Sequence, residues 1–131
     1  MVEILPYLSL WGETFSPSRA GTMTGLTLSN AREPGEPLKS GRQPARRAGL
    51  AILKPPESIP EEIRLTWLIE MATAHLSAFR AQGATICKFN LSVLWMDQCN
   101  LCFESEDLAR IAALGIQFTI SCYPKGDVPS W

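Results

Sequence analysis

Residues 85–95, "TICKFNLSVLW", carry a period-two alternation of side chains that constrains the fold more than any other feature of the chain. The apolar positions are Cys87, Phe89, Leu91, Val93 and Trp95, and the polar positions are Lys88, Asn90 and Ser92. Successive side chains of a β-strand point to opposite faces of the sheet, so this pattern predicts a strand with one face in a core. One apolar and one polar face per strand is typical of a sheet that helices cover on one side only.

The preceding residues, "SIPEEIRLTWLIEMATAHLSAFRAQG", predict the long helix that would cover this sheet. Polar side chains fall on one stripe at three- and four-residue steps, which leaves an apolar stripe opposite. The apolar stripe consists of Leu65, Leu68, Ile69, Ala72, Leu76 and Phe79. Ser58 and Glu61 have the spacing of a capping box, and Gly83 is expected to end the helix.

Weaker signals predict the remaining elements. Residues 4–11 and 50–54 indicate two strands, and Ser16 followed by Pro17 predicts a short helix from about residue 17 to about residue 25. Ser105 is expected to cap a third helix that Gly115 closes in the left-handed conformation. A final strand is predicted because Ile116, Phe118, Ile120 and Cys122 alternate with Gln117, Thr119, Ser121 and Tyr123.

This order of elements predicts an α+β fold, a two-layer sandwich of a mainly antiparallel sheet with helices on one face. A ferredoxin-like connection is one option for it. The 131 residues fit a single domain over 1–131, long enough to bury roughly two thirds of the unfolded surface. Residues 28–49 have no apolar period and are rich in glycine and proline. They are predicted to form a long flexible loop, which in a compact domain is functional or mobile.

Composition and charge exclude several classes of protein. Hydrophobic residues make up 46% and charged residues 19%, which excludes wholesale disorder. A formal charge of −1 gives no global attraction to nucleic acid or to an anionic membrane. The first residues carry Glu3 and Pro6 where a signal peptide would be basic and then apolar, and no apolar run approaches the roughly 18 residues of a membrane span. We therefore expect a cytoplasmic protein with reduced cysteines.

Cys99 and Cys102 have the two-residue spacing of a metal knuckle or a redox pair. A structural zinc site needs a second close pair, but Cys87 and Cys122 lie among the apolar residues of two predicted strands. A redox Cys-x-x-Cys normally begins a helix, whereas the helix here is expected to begin at Ser105. Packing or incidental thiols are the favoured interpretation, and metal binding and redox work stay open as alternatives.

No catalytic constellation is evident in the sequence, and we expect no catalytic residue, metal or cofactor. His75 is the single histidine and lies at the boundary of the two stripes of the long helix, where a structural role is the usual one. The acidic residues at 61–62 and 104–107 fall in first turns of helices, where the helix dipole explains them. The sequence contains neither a Walker-type phosphate loop nor a dinucleotide fingerprint.

Two surfaces are candidates for binding a partner, and a solvated loop and a solvated sheet face are the alternatives. The segment "KSGRQPARR" holds four basic residues without an acid, which suits phosphates or an acidic protein surface. It has no interleaved aromatic residue to stack a base, so nucleic acid is disfavoured. Polar strand positions would form a flat surface, which suits a protein better than a small molecule. The candidate residues are Lys39, Arg42, Arg46 and Arg47 in the loop, and Lys88, Asn90, Ser92, Gln117 and Thr119 on the sheet.

Two segments carry a resemblance to a known family. After a glycine, "FSPSRAGTMTGL" follows the first predicted strand, and "LCFESEDLARIAALGIQFTISCY" lies near the end. With the long middle helix, they resemble the bacterial family known as domain of unknown function 4279 over most of the chain. The chain departs from it at "GLAILK", where such proteins often show a tryptophan. The resemblance implies no established catalytic residue. Small bacterial domains of this kind resemble, in size and context, the immunity proteins that neutralise toxins, which is an analogy and not an argument from a site.

These observations predict a non-enzymatic protein-binding domain, such as an immunity protein or an inhibitor that occludes a toxin or an enzyme. The alternative is a small-molecule or nucleotide sensor with its site between the long loop and the sheet. Neither function requires a cofactor or a membrane.

Charge reversal tests the basic loop. Changing Arg42, Arg46 and Arg47 together to glutamate is expected to weaken the capture of a protein partner, because an acidic partner surface would then be repelled. Quantitative pull-down with the wild type alongside measures the loss, and the melting curve is expected to stay unchanged. Full retention of binding would show that the loop is not the contact.

Overall fold

The computed structural model describes residues 2–36 and 47–126. In chain order the elements are β1 (Val2–Gly12), α1 (Pro17–Thr24), β2 (Ser29–Arg32), β3 (Gly49–Leu53), α2 (Arg64–Ala81), β4 (Ile86–Trp95), α3 (Ser105–Ala113) and β5 (Gln117–Pro124). The strands form one mixed sheet in the order β2-β3-β1-β4-β5, which confirms the predicted α+β fold. Across the two described ranges, none of the helices has the length and apolar character needed to cross a membrane.

The sheet combines antiparallel pairs with one parallel pair. β1 is antiparallel to both β3 and β4, and β2 is antiparallel to β3. It follows that β1 and β2 run parallel with β3 between them, and that β3 and β4 run parallel with β1 between them. From β1 to β4, the α-helices and strands follow one another in the β-α-β-β-α-β order of ferredoxin-like domains. α3 and β5 extend this arrangement, because β5 pairs in parallel with β4.

One hydrophobic cluster contains the inward residues of three strands and residues from all three α-helices. The strands contribute Leu8, Leu10, Ala51, Leu53, Cys87, Phe89, Leu91 and Val93, and the helices contribute Ala20, Leu68, Ile69, Ala72, Leu76, Phe79 and Ile111. The inward positions Cys87, Phe89, Leu91 and Val93 of β4 and the apolar stripe of α2 are therefore confirmed, apart from the half-buried Trp95 and Leu65. The prediction that burial alternates along β4 is wrong, because Asn90, Ser92 and Leu94 on the other face are buried too. In β5, Phe118 stacks on Phe89 with ring centroids 6.0 Å apart. Ile120 is 42% exposed, because β5 is the outermost described strand on that side.

The prediction of an unbroken loop over residues 28–49 is wrong where β2 lies. This strand has only four residues and its register with β3 shifts between Ser29 and Arg32. Asn30 has a positive φ of 49°, so the strand is irregular as well as short. Such a segment shows no apolar alternation from which it could be recognised. The rest of the predicted loop, at residues 37–46, lies outside the described residues.

Two predicted helix caps are wrong. A 3-10 turn at Glu61–Ile63 precedes α2, so the α-helix begins three residues beyond the proposed capping box and receives no side-chain cap. Ser105 is the first residue of α3 and not its cap, a position that Glu104 takes without a side-chain hydrogen bond. The cap of α1 is confirmed, because the Ser16 hydroxyl accepts a hydrogen bond from the Arg19 amide at 3.3 Å.

Three glycines allow backbone segments to meet around Phe15, and we call this cluster the glycine junction (Gly12, Gly49, Gly83 and Phe15). A Cβ atom on Gly12 would lie 1.9 Å from the Gly83 carbonyl oxygen, and one on Gly49 would lie 1.8 Å from the Phe15 carbonyl oxygen. Phe15 itself is fully buried. The junction therefore joins the end of β1, the start of β3 and the connection from α2 to β4 at distances that no side chain permits.

Replacing Gly49 by alanine tests the glycine junction. We expect a loss of about 3 kcal/mol in the free energy of unfolding, because the new methyl group overlaps the Phe15 carbonyl and forces the backbone apart. Urea denaturation measures the change. Gly21→Ala is the matched control, since its methyl group would meet only the Leu26 carbonyl oxygen at 3.3 Å and alanine favours the helix. Equal stability of Gly49→Ala and the wild type would contradict this account of the junction.

Candidate functional site

A cavity of about 560 Å³ opens beside β1, between the end of β3, the connection from α1 to β2, and the start of α2. The cavity forms because β3 ends before β1 does. The last β3 residue paired with β1 is Leu53, which lies opposite Leu8, and Pro55 and Pro56 follow shortly after. Proline has no amide to donate to a β-ladder, so β3 stops there while β1 continues beside β4. In the described part of the chain, the β3 side of β1 at residues 5–6 faces the cavity instead of a strand.

The connection from α1 to β2 forms a second wall, and local hydrogen bonds fix its shape. Gly25 ends α1 in the left-handed conformation with a φ of 74°, and its amide donates to the Gly21 carbonyl at 2.8 Å. The Thr24 hydroxyl donates to the Ala20 carbonyl at 2.7 Å and accepts a hydrogen bond from the Leu26 amide at 3.3 Å. Leu26 packs against the core and lines the cavity, so this wall is rigidly attached to the fold.

Arg64 brings a positive charge to the cavity at the start of α2. Its Nε donates to the Ile59 carbonyl at 2.9 Å, and its Nη2 lies 3.5 Å from the Glu57 carbonyl. A guanidinium group carries five N–H donors, so these two bonds hold the half-buried side chain and leave donors for a ligand. Lys54 and the Glu57 carboxylate also line the cavity. Two cations and one carboxylate give the lining a net charge of +1.

The rest of the lining is mostly apolar. Trp67 lies one turn after Arg64 in α2, and Tyr7, Ile52 and the two prolines after β3 contribute further hydrophobic surface. The cavity volume falls in the usual range for small-molecule sites, about 300–1,000 Å³. Among the described residues, the lining includes neither histidine nor cysteine. The arrangement can hold a molecule with an apolar body and an anionic group, but it offers no nucleophile paired with a general base.

The basic residues predicted to bind a partner are only partly within the described chain. Lys39, Arg42 and Arg46 lie outside the described residues. Arg47 is half-buried, and its carbonyl accepts a hydrogen bond from the Gly35 amide at 2.7 Å. The buried Nε of Arg47 has no hydrogen-bond partner within the described ranges. An acceptor from a ligand or a partner would satisfy this donor, so Arg47 stays a candidate.

The predicted polar surface of the sheet is wrong for two of its five residues. Gln117 is exposed and Lys88 and Thr119 are half-buried, whereas Asn90 is 8% and Ser92 only 1% exposed. The register places Asn90 between Tyr7 and Thr119 of the neighbouring strands. Because β4 has a strand on each side, neighbouring side chains shield short polar groups that the alternation alone assigns to the outside.

Asn90 has a structural role that the sequence pattern did not reveal. Its Nδ2 donates to the Ser9 hydroxyl and to the Lys88 carbonyl, both at 3.1 Å. A buried amide is stable only when its hydrogen bonds are made, and here the partners come from β1 and from β4 itself. Asn90 and Ser92 therefore cannot offer side chains to a partner on the described surface.

The fold brings Cys99 next to Cys122, which lies 23 positions further along the chain. The Cys99 thiol donates to the Cys122 sulfur at 3.8 Å, and both residues are exposed, as is Cys102. Desolvation and this hydrogen bond raise the pKa of Cys99. Cys87 is buried in the core, and burial raises its pKa although Arg80 partly opposes the effect. Within residues 2–36 and 47–126, no three His, Cys, Asp or Glu side chains are placed to hold a metal ion.

Of the predicted partner-binding residues that the structure describes, none lines the cavity. The sequence signal that was available is the pair Pro55-Pro56 directly after a short strand, which marks where the sheet must open. Comparison with known proteins finds no family model, curated protein or solved structure that matches this chain. The family resemblance noted from the sequence therefore stays a prediction.

Replacing Asn90 by alanine tests its structural role. We expect a loss of about 1–3 kcal/mol in the free energy of unfolding, because the Ser9 hydroxyl and the Lys88 carbonyl lose a buried partner. Chemical denaturation measures the loss. Gln117→Ala serves as the control, since Gln117 is exposed and its removal is expected to change stability by no more than about 0.5 kcal/mol. If both variants were equally stable, the buried hydrogen bonds would not be the reason for asparagine at this position.

Proposed function

We propose that this protein is a non-enzymatic sensor domain that binds a small amphipathic monoanion, a molecule with an apolar body and one carboxylate or phosphodiester group. The observation that carries this proposal is the cavity of about 560 Å³, whose mostly apolar lining includes the anchored guanidinium of Arg64 and has a net charge of +1. Four free thiols in the described chain are consistent with a reducing compartment, so the proposal places the protein in the cytoplasm.

The walls supply the affinity for the apolar body. Each Å² of apolar surface removed from water contributes about 25 cal/mol, and Trp67, Leu26 and Ile52 offer this surface without a change in fold. The hydrogen bonds at Thr24 and Gly25 fix the Leu26 wall before a ligand arrives. A site that is already formed loses little conformational entropy on binding.

Arg64 supplies the selectivity for an anion. Its guanidinium is fixed by the Ile59 carbonyl, and its remaining donors have the planar geometry that pairs with a carboxylate or phosphate through two parallel hydrogen bonds. Glu57 reduces the positive charge of the lining and favours a singly charged anion over a multiply charged one. A ligand bound here contacts the α1–β2 connection and the start of α2 together, so occupancy couples these two segments.

A thermal-shift screen of amphipathic carboxylates and phosphodiesters tests the proposal. A ligand present at 100 times its Kd is expected to add about 2.7 kcal/mol to the stability of the wild type. Arg64→Gln is expected to weaken binding by about 2 kcal/mol, roughly 30-fold in Kd, because a charge-assisted hydrogen bond is lost. Thr27→Trp is expected to prevent binding, because an exposed residue of the lining would then fill the cavity.

Two matched controls accompany the screen. Arg80→Gln removes the same charge from the other end of the same helix, and Thr22→Trp adds the same indole to an exposed position outside the cavity. Both controls are expected to bind as the wild type does. The proposal is wrong if no monoanion stabilises the wild type, or if Arg80→Gln loses as much affinity as Arg64→Gln.

Binding of a protein partner, as an inhibitor or an immunity protein, is the second candidate function. The observation that favours it is the pair Trp11 and Ile86, which lie opposite each other in the register of β1 and β4 and are 37% and 45% exposed. Of the two, the tryptophan belongs to the aromatic residues that are enriched in protein interfaces. Trp11→Ser is expected to release a captured partner while it leaves monoanion binding in the cavity unchanged, which separates the two functions.

A further inference from the structure

We propose that Cys99 and Cys122 form an oxidative modification site, which glutathione disulfide or a similar small disulfide converts into an intramolecular disulfide. Their Sγ atoms lie 3.8 Å apart and both side chains are exposed. This site is separate from the cavity, whose lining contains neither residue. Its test reads the mass of the protein and not ligand binding, so it stands or fails independently of the proposed function.

The geometry requires only a small movement. The sulfurs must approach by roughly 1.8 Å to reach the S–S bond length of about 2.05 Å. Cys122 is in β5, where its backbone is paired with β4 opposite Val93. Cys99 lies in the connection between β4 and α3, outside any helix or strand, so its backbone can adjust without breaking the sheet. The contact joins residues 23 positions apart, which the Cys-x-x-Cys spacing does not indicate.

The reaction balances without a metal or oxygen. One thiolate of the pair attacks a sulfur of glutathione disulfide, a mixed disulfide forms, and one glutathione thiolate leaves. The neighbouring thiol then loses its proton and attacks the protein sulfur of the mixed disulfide, which expels the second glutathione thiolate. In total, two protein thiols are oxidised, one glutathione disulfide is reduced to two glutathione thiols, and two electrons pass to glutathione.

Proximity makes the second step the favoured outcome at this pair. After the first step the adjacent thiol is already within contact distance, so its attack is effectively unimolecular. Cys102 is exposed and is expected to stop at a mixed disulfide, whereas Cys87 is buried and is expected to stay unmodified. The raised pKa of Cys99 keeps its thiolate fraction low near neutral pH, so this thiol is expected to react faster as the pH rises.

The experiment uses the full chain with Cys102→Ser, incubated with glutathione disulfide, quenched by alkylation and analysed by intact mass and peptide mapping. The expected product has lost two hydrogen atoms, carries no glutathione, and contains a peptide in which Cys99 is linked to Cys122. Adding Cys99→Ser or Cys122→Ser to this background is expected to stop the reaction at one glutathione adduct. Because all three replaced residues are exposed, the variants are expected to fold, and circular dichroism checks this.

Three outcomes would overturn the proposal. The first is a Cys102→Ser product in which Cys99 and Cys122 each carry glutathione without an internal bond. The second is a wild-type product whose linked peptide joins Cys99 to Cys102. The third is an oxidised Cys102→Ser variant that melts at a lower temperature than its reduced form, which would show that the bond forms only by distorting the fold. The proposal requires a higher melting temperature after oxidation and its reversal by dithiothreitol.

Discussion

Backbone contact at the glycine junction is the constraint on which the rest of the structure depends. Gly12, Gly49 and Gly83 let the end of β1, the start of β3 and the exit from α2 approach at distances that exclude a Cβ atom. Backbone hydrogen bonds join the same segments, from the Ser16 amide to the Gln82 carbonyl at 3.2 Å and from the Thr85 amide to the Trp11 carbonyl at 2.9 Å. These contacts lie next to the residue pairs Gly12–Gly49 and Trp11–Ile86, at which the pairing of β1 with β3 and with β4 ends.

The cavity lies at the opposite end of the same β1–β3 pair. The register that begins with Gly12 opposite Gly49 ends with Leu8 opposite Leu53. Beyond this point the two prolines prevent further pairing, and β1 continues with a neighbour on its β4 side. The five-residue strand β3 therefore begins in the closely packed glycine junction and ends at the cavity. The closely packed end fixes the strand pair from which the walls of the cavity extend.

The sequence predicted burial well where a periodic pattern determines it. The prediction was poorer where burial depends on neighbours in space. The alternation around Phe89 and the apolar stripe of α2 predicted the core because each repeats over several turns or residues. The caps at Ser58 and Ser105 failed because a local motif does not fix where the first α-helical turn begins. Asn90 was misplaced because shielding comes from strands that are distant in sequence. The Cys99–Cys122 contact could not be predicted, since it arises from the order of strands in the sheet, and the only sequence signal for the cavity was the proline pair that follows β3.

The two edges of the described sheet differ in how readily each could accept another strand. On one side, β2 has four residues, a register shift and a left-handed Asn30, so it presents a broken row of backbone groups. On the other side, β5 is an eight-residue strand with regular parallel pairing to β4. Short and irregular edges resist the addition of another strand, whereas long regular ones permit it. Of the two described edges, β5 is therefore the one that could accept an added strand more readily.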